Sequence, residues 1–315
     1  MKHILYILIL ITITNCRVKE NTCEISKEFN GHSEAILGIT ESPNGKFILT
    51  GSEDDKAILW NEKGEIVYQT DVHERSVNDV AFSPDSKQFI TAGSDKTFLI
   101  WKIDGTKLKT VFADEIYVKT VVYSNDGKYI LSGGGDNIAK LWTSDGEFIR
   151  DFKGHTCTIY QASFSPDNKS IILASCDNTF SVWNINGEKK FSKEYHLSGV
   201  SAASFSPDGK TILTASFDKT AALWDLNGEL LTLFKGHTDE INQAEFSSNG
   251  NYILTASEDA TAKLWNNKGT LIKTFGEVSK VDYTSATFSK DGQFAIISSK
   301  TNKVDFWRLP INNDY

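Results

Sequence analysis

An all-β fold made of seven copies of one unit is predicted by three observations. The only seven tryptophans, Trp60, Trp101, Trp142, Trp183, Trp224, Trp265 and Trp307, fall 41, 41, 41, 41, 41 and 42 residues apart. A fixed period of this length means that one supersecondary unit is stacked repeatedly to bury a continuous core. Alternating stretches such as Tyr252-Ile253-Leu254-Thr255-Ala256-Ser257 and Thr261-Ala262-Lys263-Leu264-Trp265 have the period of strands, and no repeat sustains a helical one. Turn residues recur between them at fixed places, which leaves about four short antiparallel strands per unit.

Each unit reads in the same order. A Gly-His pair, as in Gly154-His155 and Gly236-His237, opens it, and His32, His73, His155, His196 and His237 each lie 28 residues before their Trp. An apolar strand follows and ends at a turn such as Ser83-Pro84-Asp85, Ser165-Pro166-Asp167 or Ser206-Pro207-Asp208-Gly209. A β-rich stretch then leads to Ala-Ser-x-Asp, and a third strand carries the Trp. Asp104-Gly105, Asp145-Gly146, Asn186-Gly187 and Asn227-Gly228 favour two-residue hairpin turns into a fourth, outer strand.

Taken together, Gly-His, turn, Asp and Trp at these offsets resemble the WD-repeat family over residues 25 to about 309. The resemblance implies a seven-bladed β-propeller with four-stranded blades around a central channel. It also implies, in each blade, a hydrogen-bonded tetrad of His, Ser or Thr, Asp and Trp that satisfies the indole donor. Carried over by position, the tetrads are His32, Ser52, Asp54, Trp60; His155, Ser175, Asp177, Trp183; His196, Ser216, Asp218, Trp224; and His237, Ser257, Asp259, Trp265. Blade two has His73, Asp95 and Trp101 with Gly93 at the hydroxyl position. Blade three has Asp114 in place of His, Gly134 at the hydroxyl position, and Asp136 and Trp142. Blade seven has Ser299 and Trp307, with Ser279 and Thr301 where His and Asp stand elsewhere, so blades three and seven are expected to be the least rigid.

Closure follows from the arrangement of the outer strands. After Trp307 too few residues remain for one, whereas Glu24-Ile25-Ser26-Lys27-Glu28-Phe29 precedes the first Gly-His. This segment is expected to pair onto the seventh blade and remove its open edge. The domain organisation is then a leader over 1–15, a polar tether over 16–24, the propeller over 25–309 and a short tail over 310–315.

Lys2 and His3 precede an apolar run from Ile4 to Thr14, too short to span a bilayer as a helix but suited to an export signal. The segment Ile13-Thr14-Asn15-Cys16 resembles the lipobox of bacterial lipoproteins, with Asn15 where a small residue is usual. That implies cleavage before a lipidated Cys16 and a membrane-anchored place in the bacterial cell envelope, on the periplasmic or surface side. The alternatives are a soluble secreted or periplasmic protein, or a cytosolic scaffold whose leader is a misassigned start. The outer strand runs toward the His and Asp face, so residue 24 is expected at the opposite rim. The eight-residue tether reaches at most about 28 Å from the membrane.

Of four cysteines, Cys16, Cys23, Cys157 and Cys176, the last two fall in loops at one end of blade four. They form a disulfide or stay as two thiols, and with Cys16 lipidated at most one bridge is possible. The net charge of −8 and pI near 5.3, with no long basic run, argue against nucleic acid as a partner. All five His outside the leader sit at the tetrad position, so none remains for a metal cluster or a Ser-His-Asp site. No cofactor or metal is expected. The Asp-Gly turns lack Ca²⁺-loop spacing, and Gly133-Gly134-Gly135 is a turn rather than a phosphate loop.

Members of the WD-repeat family bind peptides or proteins on the face of the His and Asp loops, around the channel mouth. The implied positions, three and five after the His and seven before the Trp, vary from blade to blade. Among them Tyr117, Tyr160 and Phe217 are candidate aromatic anchors and Lys119 a central cation, with Asn78, Asn242, Glu240 and Glu258 beside them. The expectation is a monomeric, non-catalytic protein- or peptide-binding scaffold. The rival is a propeller hydrolase or lyase using mouth carboxylates such as Glu53, Glu240, Glu258 and Asp282.

Overall fold

The structure, a computed structural model, describes residues 24–25, 31–71, 73–276 and 281–310. They form seven four-stranded antiparallel sheets, arranged as a seven-bladed β-propeller, and no helix. In six blades the four strands follow the chain order from the channel outward, as in Ile36–Glu41, Phe47–Ser52, Ala57–Asn61 and Ile66–Gln69 of blade one. In the seventh sheet, Tyr283–Phe288, Phe294–Ser299 and Val304–Arg308 take Glu24–Ile25 as the fourth strand. Glu24 lies opposite Trp307 and Ile25 opposite Phe306, antiparallel. Residues 26–29 of the expected strand lie outside the described residues, as do Ser279, Cys16 and Cys23.

The core is a ring of seven clusters, one at each meeting of two blades. Trp60, Ile36 and Ile58 of blade one pack with Ile296, Val304 and Phe306 of blade seven. Leu49 and Leu59 of blade one pack with Val77, Phe89 and Trp101 of blade two. The pattern repeats around the ring, so each Trp seals its own blade against the one before it. Trp60, Trp101 and Trp224 are among the most completely buried side chains. Burying apolar surface of this size stabilises by roughly 25 cal/mol per Å².

The hairpin turns before the outer strands differ from the expected two-residue type. Lys102 N–H donates to Thr106 O and Gly105 N–H to Lys102 O, which makes a three-residue loop. Gly105 takes the left-handed conformation (φ +86°), and the Asp104 side chain accepts the Thr106 N–H instead of Asp104 adopting positive φ. An Asx side chain that caps the backbone favours a type I turn followed by a left-handed Gly over the two-residue alternative.

Candidate site at the channel mouth

The tetrads frame the face where the site lies. In blade one His32 Nδ1 lies 3.0 Å from Asp54 Oδ1, and His32 Nε2 lies 2.8 Å from Thr50 Oγ1. Trp60 Nε1 donates to the same Thr50 Oγ1 at 2.9 Å. Burial lowers the His32 pKa, outweighing Asp54, so the ring is neutral. Protons then run one way along the chain, indole N–H to hydroxyl, hydroxyl O–H to Nε2, Nδ1–H to carboxylate. The carboxylates also accept backbone N–H groups, as Asp54 does from Ser33. Burial raises the Asp95 pKa, but the His73 and Thr97 hydrogen bonds outweigh it and hold Asp95 at about 2.

The bridging hydroxyl corrects the sequence reading. It is Thr50, not Ser52, and likewise Thr214 and Thr255 rather than Ser216 and Ser257. Strand alternation puts residues 50 and 52 on one face, and the indole reaches only the nearer of them. Ser52 instead donates to Glu34 O and accepts the Asp54 N–H; Ser175, Ser216 and Ser257 do the same in their blades. In blade four the place of Thr50 is held by Leu173, and Ser181, paired opposite it on the next strand, bridges His155 and Trp183. Blade two is complete through Thr91 despite Gly93.

Blade three keeps its indole bond through Ser132. Its Asp114, buried and facing Asp136, has its pKa raised, while Lys140 pairs with Asp136. In blade seven Ile297 stands ten residues before Trp307, and the buried Trp307 Nε1 has no partner among the described residues.

The channel mouth is built by a bulge repeated seven times. In each innermost strand the register skips one residue, and those residues are Leu37, Asn78, Lys119, Tyr160, Ser201, Asn242 and Thr284. A bulged residue leaves the ladder and its side chain is re-aimed. Here all seven line one cavity of about 260 Å³. Phe217, Glu258 and Lys300 also line it; Tyr117 and Glu240 do not.

Four of the seven bulged side chains fasten neighbouring blades. Asn78 donates to Val118 O at 2.8 Å and Asn242 to Tyr283 O at 2.9 Å, and Ser201 and Thr284 reach Ile241 O and Ile36 O. Asn78 and Asn242 are therefore committed to the ring as well as to the mouth. Leu37, Lys119 and Tyr160 make no such bond among the described residues.

The residues one step deeper, Asp79 and Gln161, were missed as site residues. Asp79 accepts the Val80 and Val121 N–H groups at 2.8 and 2.9 Å, and Gln161 accepts the Ala203 N–H. Burial raises the Asp79 pKa to about 6 against these bonds. A carboxyl and an amide in otherwise apolar or small strand sequences were the signal available.

The rim of the mouth is divided. On one side Tyr160 and Phe217 form an edge-to-face pair with centroids 5.3 Å apart, and burial raises the Tyr160 pKa. Tyr117 lies over Gly135, where a Cβ would come within 2.8 Å of its ring, and its hydroxyl meets Thr158 Oγ1 at 3.0 Å. Beside them Cys157 and Cys176 form a disulfide with Cα atoms 5.3 Å apart. On the other side Lys300 Nζ binds Glu258 at 3.0 Å and Asp282 at 2.9 Å. Burial, then the charges of Glu258 and Asp239, raise the Glu240 pKa. Among the described residues no group of three or more His, Cys, Asp or Glu is placed to hold a metal ion.

Comparison with known families gives two matches. The model described as the IFT122 first beta-propeller matches residues 76–313, and that of the WD domain, G-beta repeat, matches residues 23–61. No curated protein matches the chain.

Proposed function

Because the chain belongs to the WD-repeat β-propeller family, whose members generally bind proteins, we propose that it is a non-catalytic scaffold holding a protein or peptide at the channel mouth. One observation carries this reading. The bulged residues differ in size and charge from blade to blade and converge on a single cavity, while the tetrads around them repeat. A framework that repeats and a mouth that varies is what selective recognition requires. The aromatic pair Tyr160 and Phe217 supplies the anchor expected of a binding hot spot.

Partners identified by crosslinking and pull-down from membranes provide the test. The double substitution Tyr160→Ala, Phe217→Ala is expected to lower affinity for such a partner at least tenfold with the fold intact by circular dichroism. Unchanged affinity would refute the binding face.

The same proposal includes export and anchoring. A disulfide in blade four fits an oxidising compartment, as does the apolar leader ending at Cys16. We place the propeller at the bacterial cell envelope, lipid-anchored through Cys16 and monomeric, with the mouth turned away from the membrane. Palmitate labelling of the wild type and its loss in Cys16→Ser are the expected results. Labelling that persists in Cys16→Ser would remove the anchor from the proposal.

A further inference from the structure

Among the described residues, two side-chain donors at matching positions of neighbouring blades, Lys119 and Tyr160, line the mouth without a hydrogen-bond acceptor. The Lys119 ammonium is half-buried, lines the cavity, and makes no ion pair or hydrogen bond among the described residues. The hydroxyl of Tyr160, the matching residue of the next blade, likewise has no partner among them. The other cation in the lining, Lys300, is saturated by Glu258 and Asp282. Four of the other five bulged residues are hydrogen-bonded to the neighbouring blade and the fifth, Leu37, is apolar, so among the bulged residues the unused donors fall together on blades three and four.

A partly buried ammonium that no carboxylate contacts directly costs the free protein stability, because the water it loses is only partly replaced by more distant charges. Burial lowers the Lys119 pKa, outweighing the charges of Asp79 and Glu53, which favour the ammonium. Asp79 is occupied with the Val80 and Val121 N–H groups. A single cation beside a neutral hydroxyl suits a singly charged, two-oxygen acceptor. A phosphate group asks for several cations or a bidentate guanidinium, and the lining holds no arginine and, with Lys300 paired, one cation left over.

We propose that the mouth receives a carboxylate of a peptide partner between the Lys119 ammonium and the Tyr160 hydroxyl, with the adjoining partner residue on the Tyr160 and Phe217 rings. This rests on the binding-face reading above and gives it a ligand chemistry.

Three arrays of immobilised nonapeptides, probed with the purified full-length chain, test it. The first two are randomised sets differing only in Glu or Gln at the centre, both amidated. The third lacks acidic side chains and ends in a free carboxylate. Binding to the first or the third is expected to exceed binding to the Gln set at least tenfold, and which of them binds identifies a side-chain or terminal carboxylate. Lys119→Met is expected to abolish the preference and Lys119→Arg to keep part of it. Because the substitution removes an unpaired charge, Lys119→Met is also expected to raise the Tm, by about 2 °C.

Equal binding to all three arrays, or no binding to any, overturns the carboxylate. So does a Lys119→Met variant that melts lower and keeps its preference, since Lys119 would then be structural. Equal binding that Phe217→Ala abolishes sinks the carboxylate and leaves the binding face standing. Binding indifferent to Phe217→Ala, Tyr160→Ala and Lys119→Met sinks both.

Discussion

Replacing Thr50 by Val leaves two buried nitrogens, Trp60 Nε1 and His32 Nε2, without the hydroxyl they share. Each unsatisfied buried group costs about 1–3 kcal/mol, so Thr50→Val is expected to lower stability by about 2–6 kcal/mol in denaturant titration. Ser52→Ala is expected to cost no more than about half of that. Equal effects would argue against Thr50 as the bridge. At this scale the sequence was legible where a side chain has one job: the His, Asp and Trp spacings pointed to groups that meet. The hydroxyl was not legible, because Ser52 and Thr50 share a strand face and only the reach of an indole ring separates them. The disulfide stayed open for a similar reason: the position of Cys157 relative to Cys176 depends on how two loops approach.

At the level of the element, strand period and turn residues were enough to place strands and blades. The bulges were not foreseen, since no residue type marks them: Leu37, Lys119 and Ser201 occupy the same irregular position. The short strand Glu24–Ile25 on the seventh sheet carries its own prediction. Deleting residues 23–29 exposes the edge of Val304–Arg308 that Glu24–Ile25 covers, and is expected to lower the Tm by about 10 °C while unfolding stays cooperative. An unchanged Tm would show that this strand contributes nothing to closure. Reduction of Cys157–Cys176, which closes a loop with a sequence separation of 19, is expected to lower stability by about 3 kcal/mol, measured by denaturant titration with and without reductant.

For the whole molecule, acid acts in two windows with the same sign. Burial lowers the pKa of His32 and His237, so the unfolded chain takes up protons below about pH 6.5 that the fold refuses. Stability is therefore full above that pH and falls below it. Asp95, held at about 2, and Asp177, Asp218 and Asp259, where burial is outweighed by the His and Thr hydrogen bonds that lower the pKa, add a second loss as pH falls below about 4 toward their folded values. Glu245 works in reverse: burial raises its pKa to about 7, so its ionisation weakens the fold as pH rises through 7. Glu245→Gln is expected to raise the Tm by about 2–4 °C at pH 8 and to change it little at pH 4. A gain of equal size at both pH values would mean that packing, not charge, is responsible.

The seven bulges separate two properties that most binding sites share. A bulged residue stands outside the backbone ladder, so its identity can change without removing a strand hydrogen bond. Among the described residues Leu37, Lys119 and Tyr160 make no hydrogen bond to a neighbouring blade either. These positions amount to a short alphabet written on an indifferent page: specificity can be rewritten there by single substitutions, at little cost to the ring that displays it.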